Sequence, residues 1–361
     1  MIYTVFIYTA VLLICFLLAR KARKTQRLLF VAAIVGVLTL LAGLRADSVG
    51  IDTPTYVSAF ELICHDNFDY VYGMEYSFKL IMLLISKVSN NYTFFLLLMA
   101  LLTNGLIILR LWEFKELSRF EWMVVAYYVT FYFFEFNIMR QMCAVAIVFW
   151  GSRYISKGKY IKFVLCLIFA MLFHTSALFG MSLLIIEYTR WKKLSKRQKY
   201  FLMLGASIVP IAGIYIINKL SKYSRYLSNI EFQIGTILFV KIVFLILSQW
   251  KMKKIIICRE SKTERTDDIG KAIELGQQID LIKIYYFCGL LMGLLGYMAP
   301  FADRMSLYLY IFECAYIGSL MKYRKIDTGI PIAIVMLYGA IFAVNLKSGG
   351  QGQMPYLFFW Q

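Results

Sequence analysis

The stretch IYTVFIYTAVLLICFLLARKARKTQR, residues 2–27, decides how this chain folds. Its first part, to residue 19, is an apolar run of the length a helix needs to cross a hydrocarbon core of ~30 Å. Five basic residues follow at once, at 20–27. The basic cluster comes after the apolar run and not before it, the reverse of a cleaved secretory signal. The run is therefore expected to stay as a membrane span with its basic end in the cytoplasm.

Working outward, the same pattern recurs to the end of the chain. Apolar runs long enough to span, or nearly so, occupy 28–44, 92–109, 121–136, 139–155, 161–173 and 176–188. Others follow at 200–217, 233–250, 284–299, 304–321 and 329–345. Hydrophobic residues make up 61% of the 361, charged residues only 17%, and the mean hydropathy is +0.68. A water-soluble domain of this length does not carry such a balance, so lipid is the expected solvent. The fold class is all-α: one polytopic transmembrane bundle over 1–361, of about twelve helices. The segment 74–88 differs, because Glu75, Lys79 and Lys87 surround LIMLLIS. It reads as a short interfacial or re-entrant helix within an outer loop over 45–91.

Basic residues fix the orientation, since Lys and Arg flanking a span are retained in the cytoplasm. With the amino terminus outside, the cytoplasmic loops are 20–27, 110–120, 153–162, 190–199, 251–283 and 322–325. Those loops hold 29 of the 39 basic residues. Both termini are then outside. The net charge of +18 is spent on these short clusters and forms no basic stripe with interleaved aromatics, which excludes a nucleic-acid partner. Seven cysteines contain no CxxC pair, and no histidine stands near them at ligand spacing, so neither a disulfide framework nor a metal site is expected. The loop 251–283 mixes eight basic with six acidic residues and reads as a solvated cytoplasmic connector. GLLMG at 289–293 fits a small-residue packing face.

Polar residues that topology does not require gather at the outer ends of the spans. The loop LRADSVGIDTPTY, 44–56, sets Arg45 and Asp52 against a helix start, with Asp52 or Thr53 as N-cap and Pro54 in the first turn. Arg140 and Gln141 open a helix after FEFNIM, His174 ends the run FVLCLIFAMLF, and Arg304 lies in PFADRMSLYLY. A boundary arginine alone is a snorkelling anchor, and a boundary histidine alone is a satisfied structural group. The deduced topology puts Arg45, Arg140, His174 and Arg304 on one face, the face where arginine is least expected. An anionic partner accounts for that, because guanidinium forks match phosphate oxygens and helix N-termini add positive potential. Tyr56, Tyr308 and Tyr356 are candidate neighbours for sugar stacking or hydroxyl bonding.

The segments LRADSVGIDTPTY, NIMRQMCAVAI, AMLFHTSAL, ADRMSLYLY and the terminal MPYLFF are similar, in order and spacing, to the EpsG family of Wzy-like polysaccharide polymerases. The resemblance runs over nearly the whole chain. It implies a multi-pass enzyme of the bacterial inner membrane with a GT-C-like fold, working on the periplasmic or extracellular side. Its donor and acceptor would both be oligosaccharide repeat units on undecaprenyl pyrophosphate, amid membrane lipids, with a flippase and a chain-length regulator as protein partners. No metal and no cofactor are implied. On this reading Arg45, Arg140 and Arg304 hold the pyrophosphate, and His174 is the base or acceptor-orienting group, with Asp52 the second candidate base. The external loop over 45–73 is smaller than that of other Wzy-type polymerases and of O-antigen ligases.

Two other function classes fit a chain of this kind. A flippase for lipid-linked oligosaccharide would carry charged or broken-helix sites near the bilayer midplane and often a two-fold repeat; only Lys241 and Pro210 point that way. A ligase or acyltransferase would use the same face with a different acceptor or donor.

Overall fold

The computed structural model describes residues 2–191, 240–246, 248, 266–296, 300–322 and 329–361. The expected spans 200–217 and most of 233–250 lie outside the described residues, as do Pro210, the loop 192–199 and the connector up to residue 265. The chain divides into two compact units, one of residues 1–178 with 334–361, the other of residues 179–333.

In the first unit, helix α1 (Ile2–Thr25) runs through the opening apolar stretch and its basic tail. α2 (Leu28–Gly43) returns, and after the polar loop α3 (Thr53–Cys64) and α4 (Tyr76–Ser86) form the segment between the second and third long apolar runs. α5 (Tyr92–Glu113), α6 (Phe120–Thr130), α7 (Met139–Ile155) and α8 (Tyr160–Met171) follow. α2 packs on α5, α5 on α7, α7 on α8, and α1 on both α2 and α6. α7 is buried around nearly its whole circumference, which is why its sequence shows no amphipathic stripe. Gly43 lets α2 close on α5: a Cβ there would stand 2.8 Å from the Leu97 Cα. At the basic end of α1, Arg23 donates from Nε (2.8 Å) and Nη2 (3.0 Å) to the carboxylate of Glu121, which ties α1 to the start of α6.

The second unit contains α9 (Met181–Trp191), α10 (Thr266–Gly296), α11 (Pro300–Tyr310) and α12 (Glu313–Lys322). α10 packs against α11 and α12, and Gly289 of the GLLMG stretch is the close point, since a Cβ there would lie 2.5 Å from the Tyr310 backbone nitrogen. Residues 266–283 of the expected connector form the first half of α10. Lys241 and Glu313 make a buried ion pair at 2.9 Å, with the ammonium also 2.6 Å from the Tyr310 hydroxyl. α13 (Gly329–Ser348) ends the helical series.

All regular structure among the described residues is helical, apart from one isolated bridge. α1, α5 and α13 are long and apolar enough to cross a membrane, which marks an integral membrane protein. α2, α4 and α8 are apolar but shorter. With a rise of 1.5 Å per residue, the 11 residues of α4 extend ~16 Å, about half a bilayer core. Two runs that read as continuous are broken. Residues 121–136 become α6 followed by a 3-10 turn over Tyr132–Phe136, and 304–321 divides between α11 and α12.

Candidate functional site

The first helical turns of α4 and α7 and the turn after α8 meet at one carboxylate. Glu75 stands at the N-cap of α4 in extended backbone, φ −61° and ψ 138°, and its carboxylate caps nothing in its own helix. One oxygen, Oε2, pairs with Nη1 of Arg140, the second residue of α7. The other, Oε1, accepts from the Thr175 backbone N–H at 3.4 Å and lies 4.0 Å from Nε2 of His174. The side chains are part-buried, with 16% of Arg140, 19% of Glu75 and 26% of His174 exposed, so the cluster is held by protein and open to a ligand. Arg140 also reaches the Gly73 carbonyl at 3.4 Å, and its guanidinium sits 5.8 Å from the ring centres of both Tyr56 and Phe78. Its Nε is buried without a partner.

His174 closes α8, its N–H donating to the Ala170 carbonyl at 3.2 Å. The Ser176 backbone N–H donates to His174 Nδ1 at 3.1 Å, and the Ser176 hydroxyl lies 2.7 Å from the same nitrogen. A nitrogen that accepts from an N–H carries the lone pair, so the neutral ring holds its proton on Nε2, the nitrogen facing Glu75. Ser77 of α4 donates to the Leu172 carbonyl at 2.8 Å and pins α4 to the same turn.

Tyr56 is buried on α3, one turn along from Thr53. Burial pushes its phenol up and the neighbouring Arg140 charge opposes that, while Asp52 adds to the upward push. Asp52 occupies the N-cap of α3, with Pro54 in the first turn, yet its side chain makes no capping bond and is partly exposed. The loop before it is held by Asn137, whose Oδ1 accepts from Ile51 N–H (2.6 Å) and Asp52 N–H (3.3 Å). Gln141, next to Arg140, is buried.

Arg45 sits apart from this cluster in a setting of its own. Only 1% exposed, it bonds the Ala42 carbonyl, donates from Nε to Thr53 Oγ1 at 3.2 Å and lies 4.6 Å over the Phe136 ring. Burial pushes the guanidinium down, and Glu135, Tyr132 and Tyr356 oppose that push. The carboxy-terminal segment closes over the Arg45 loop: Arg45 and Phe358 form an antiparallel bridge, Ala46 N–H donates to Leu357 O (2.9 Å) and Phe359 N–H to Leu44 O (2.9 Å). Tyr356 is buried there, its hydroxyl donating to the Leu41 carbonyl at 2.8 Å. Arg304 and Tyr308 belong to the second unit, on α11, the arginine exposed and the tyrosine buried.

The structure thus joins Arg140, His174 and Tyr56, and the residue that joins the first two is Glu75. In the sequence Glu75 is only one of the charges around the short interfacial or re-entrant segment 74–88. A carboxylate just before an apolar helix start was its single visible sign. Among the described residues no group of three or more His, Cys, Asp or Glu could hold a metal ion. A guanidinium, an imidazole nitrogen and a backbone N–H around one point suit an anionic oxygen, of a carboxylate or of a phosphate.

No curated protein and no solved structure matches the chain. The EpsG family model matches residues 27–358, which takes in Arg45, Asp52, Tyr56, Glu75, Arg140, His174, Arg304 and Tyr356. With the match running through α2 to the bridge at Phe358, this integral membrane protein belongs to the EpsG family.

Proposed function

We propose that the protein is a polysaccharide polymerase that transfers a glycan from one polyprenyl pyrophosphate to a sugar hydroxyl of a second lipid-linked unit. Membership of the EpsG family implies a role in exopolysaccharide biosynthesis, and the polymerase reading refines that role. The observation that carries it is the Arg140 and His174 pair meeting at one carboxylate at the ends of apolar helices, a donor set suited to a lipid-borne phosphate. The basic-loop pattern supports an outer-side position for those helix ends, where undecaprenyl-pyrophosphate-linked units would be joined.

In the reaction the acceptor oxygen bonds to the anomeric carbon, the bond from that carbon to the pyrophosphate oxygen breaks, and lipid pyrophosphate leaves with its electrons. Arg140, at the positive end of α7, stabilises the growing negative charge. His174, with its lone pair engaged by Ser176, serves as a donor through Nε2 and orients a phosphate or acceptor oxygen. Asp52, uncapped and partly exposed, takes the proton from the acceptor hydroxyl. Gln141 and Tyr56 are substrate-side neighbours in this reading, and Arg304 and Tyr308 are candidate substrate contacts carried by the second unit.

Deleting the gene tests the reading against a flippase and a ligase. A polymerase deletion accumulates single repeat units on lipid at the outer leaflet and loses long glycan. Units retained on the inner leaflet would indicate a flippase, and long lipid-linked polymer that is never transferred would indicate a ligase.

A further inference from the structure

We infer that Glu75 is the internal counter-ion of a phosphate subsite made by Arg140, the Thr175 N–H and His174 Nε2–H, and that a pyrophosphate group displaces it on binding. The inference rests on the proposed use of Arg140 for a pyrophosphate and adds how that arginine is kept ready.

The contacts are those of an exchangeable anion. A single strong contact runs from Glu75 to Arg140 Nη1, while the Thr175 N–H at 3.4 Å and His174 Nε2 at 4.0 Å are reached only loosely. Arg140 keeps donors to spare, with Nη2 at a long 3.4 Å from Gly73 O and Nε unpartnered. A carboxylate offers two oxygens to this donor set; a pyrophosphate offers more, with more charge, and can engage guanidinium, N–H and imidazole together. When no other anion is bound, the carboxylate offsets the cost of a part-buried, unpaired guanidinium.

Release of the carboxylate leaves the architecture in place. Glu75 precedes α4, so its side chain can swing away without unwinding a turn. α4 is anchored independently by Ser77 on the Leu172 carbonyl, and Lys79 Nζ at 3.2 Å from the carbonyls of both Phe68 and Val71 fixes the preceding loop. Arg140 stays flanked by the Tyr56 and Phe78 rings.

Titration of the purified, detergent-solubilised full chain with inorganic pyrophosphate and, separately, with a polyprenyl pyrophosphate tests this. Glu75→Gln keeps the shape and removes the charge, so both probes should bind roughly tenfold tighter than to wild type, about the effect of one charge-assisted contact. Arg140→Gln should bind neither. A gain confined to the polyprenyl probe identifies a lipid-borne group, and an equal gain with the inorganic probe shows that the anion alone suffices; either supports the exchange. If Glu75→Gln lowers folded yield, Glu75→Ala carries the same expectation, because it too removes the carboxylate that competes for Arg140. Unchanged or weaker pyrophosphate binding by well-folded Glu75 variants overturns the inference and makes Glu75 a structural strut. Polymer synthesis assayed in parallel separates the two ideas. Wild type that makes no polymer while Glu75→Gln tightens binding defeats the polymerase reading alone, and active wild type with no Glu75 effect on binding defeats only the exchange.

Discussion

The Glu75 carboxylate pairs with the Arg140 guanidinium across 65 residues of sequence, joining the N-cap of α4 to the first turn of α7. That contact ties the start of the short apolar helix α4 to the largely buried α7, and the same carboxylate lies 4.0 Å from His174. In a membrane protein a charge held this way is expensive unless paired.

Arg140→Lys keeps the positive charge and loses the planar fork. Polymer synthesis should fall by ~10² or more, since a point charge cannot engage two phosphate oxygens in fixed directions. Quantifying polymer from membranes matched for protein content checks this, and unchanged synthesis would remove the guanidinium geometry from the mechanism.

Asp52→Asn and His174→Ala separate proton transfer from positioning. Asp52→Asn should lower turnover by ~10²–10⁴, the range for a lost proton acceptor, with donor affinity kept. His174→Ala should act mainly through weaker donor binding, because the Nδ1 lone pair already accepts from the Ser176 N–H. Initial rates over a range of donor concentrations distinguish the two, and a turnover defect at saturating donor in His174→Ala alone would return the base to the histidine.

The sequence showed Arg140 and His174 because each interrupts an apolar run at a span boundary, where only a few residue types are tolerated. It also showed Arg45 as unusual, but the segment that closes over its loop lies at the far end of the chain: the backbone bridge to Phe358 spans more than 300 residues and has no periodic signature. Glu75 was hidden for the same reason. Its partner is set by tertiary packing, and locally it looks like one more charge beside a short helix. The long apolar helices α1, α5 and α13 were legible from length and hydropathy alone. The breaks inside 121–136 and 304–321 were not, because the residues there are apolar on both sides of the break.

Gly50 and Gly352 meet where the carboxy-terminal segment closes on the Arg45 loop, with Gly50 N–H donating to Gly352 O at 2.8 Å. Their φ values are +100° and +67°, and a Cβ on Gly352 would stand 2.8 Å from the Ile51 nitrogen. Gly352→Ala should therefore cost ~1–3 kcal/mol for the strained backbone, with any clash adding to it. Thermal unfolding in detergent checks this, and an unchanged midpoint would mean that the closure adds little stability.

Arg45→Lys tests whether the buried arginine serves structure or substrate. Held by Ala42, Thr53 and Phe136 and only 1% exposed, it should lower folded yield when replaced, with activity per folded molecule reduced far less than in Arg140→Lys. Normal yield with no activity would instead assign Arg45 to the pyrophosphate.

Synthesis by the isolated protein is the most direct test of the polymerase reading. Purified protein in liposomes, supplied with one polyprenyl-pyrophosphate-linked repeat unit, should produce a ladder of lengthening glycans and release one polyprenyl pyrophosphate per linkage, and Arg140→Gln protein should produce neither. Movement of the unit across the bilayer without any lengthening, from wild-type protein that is folded and binds the donor, would contradict the account.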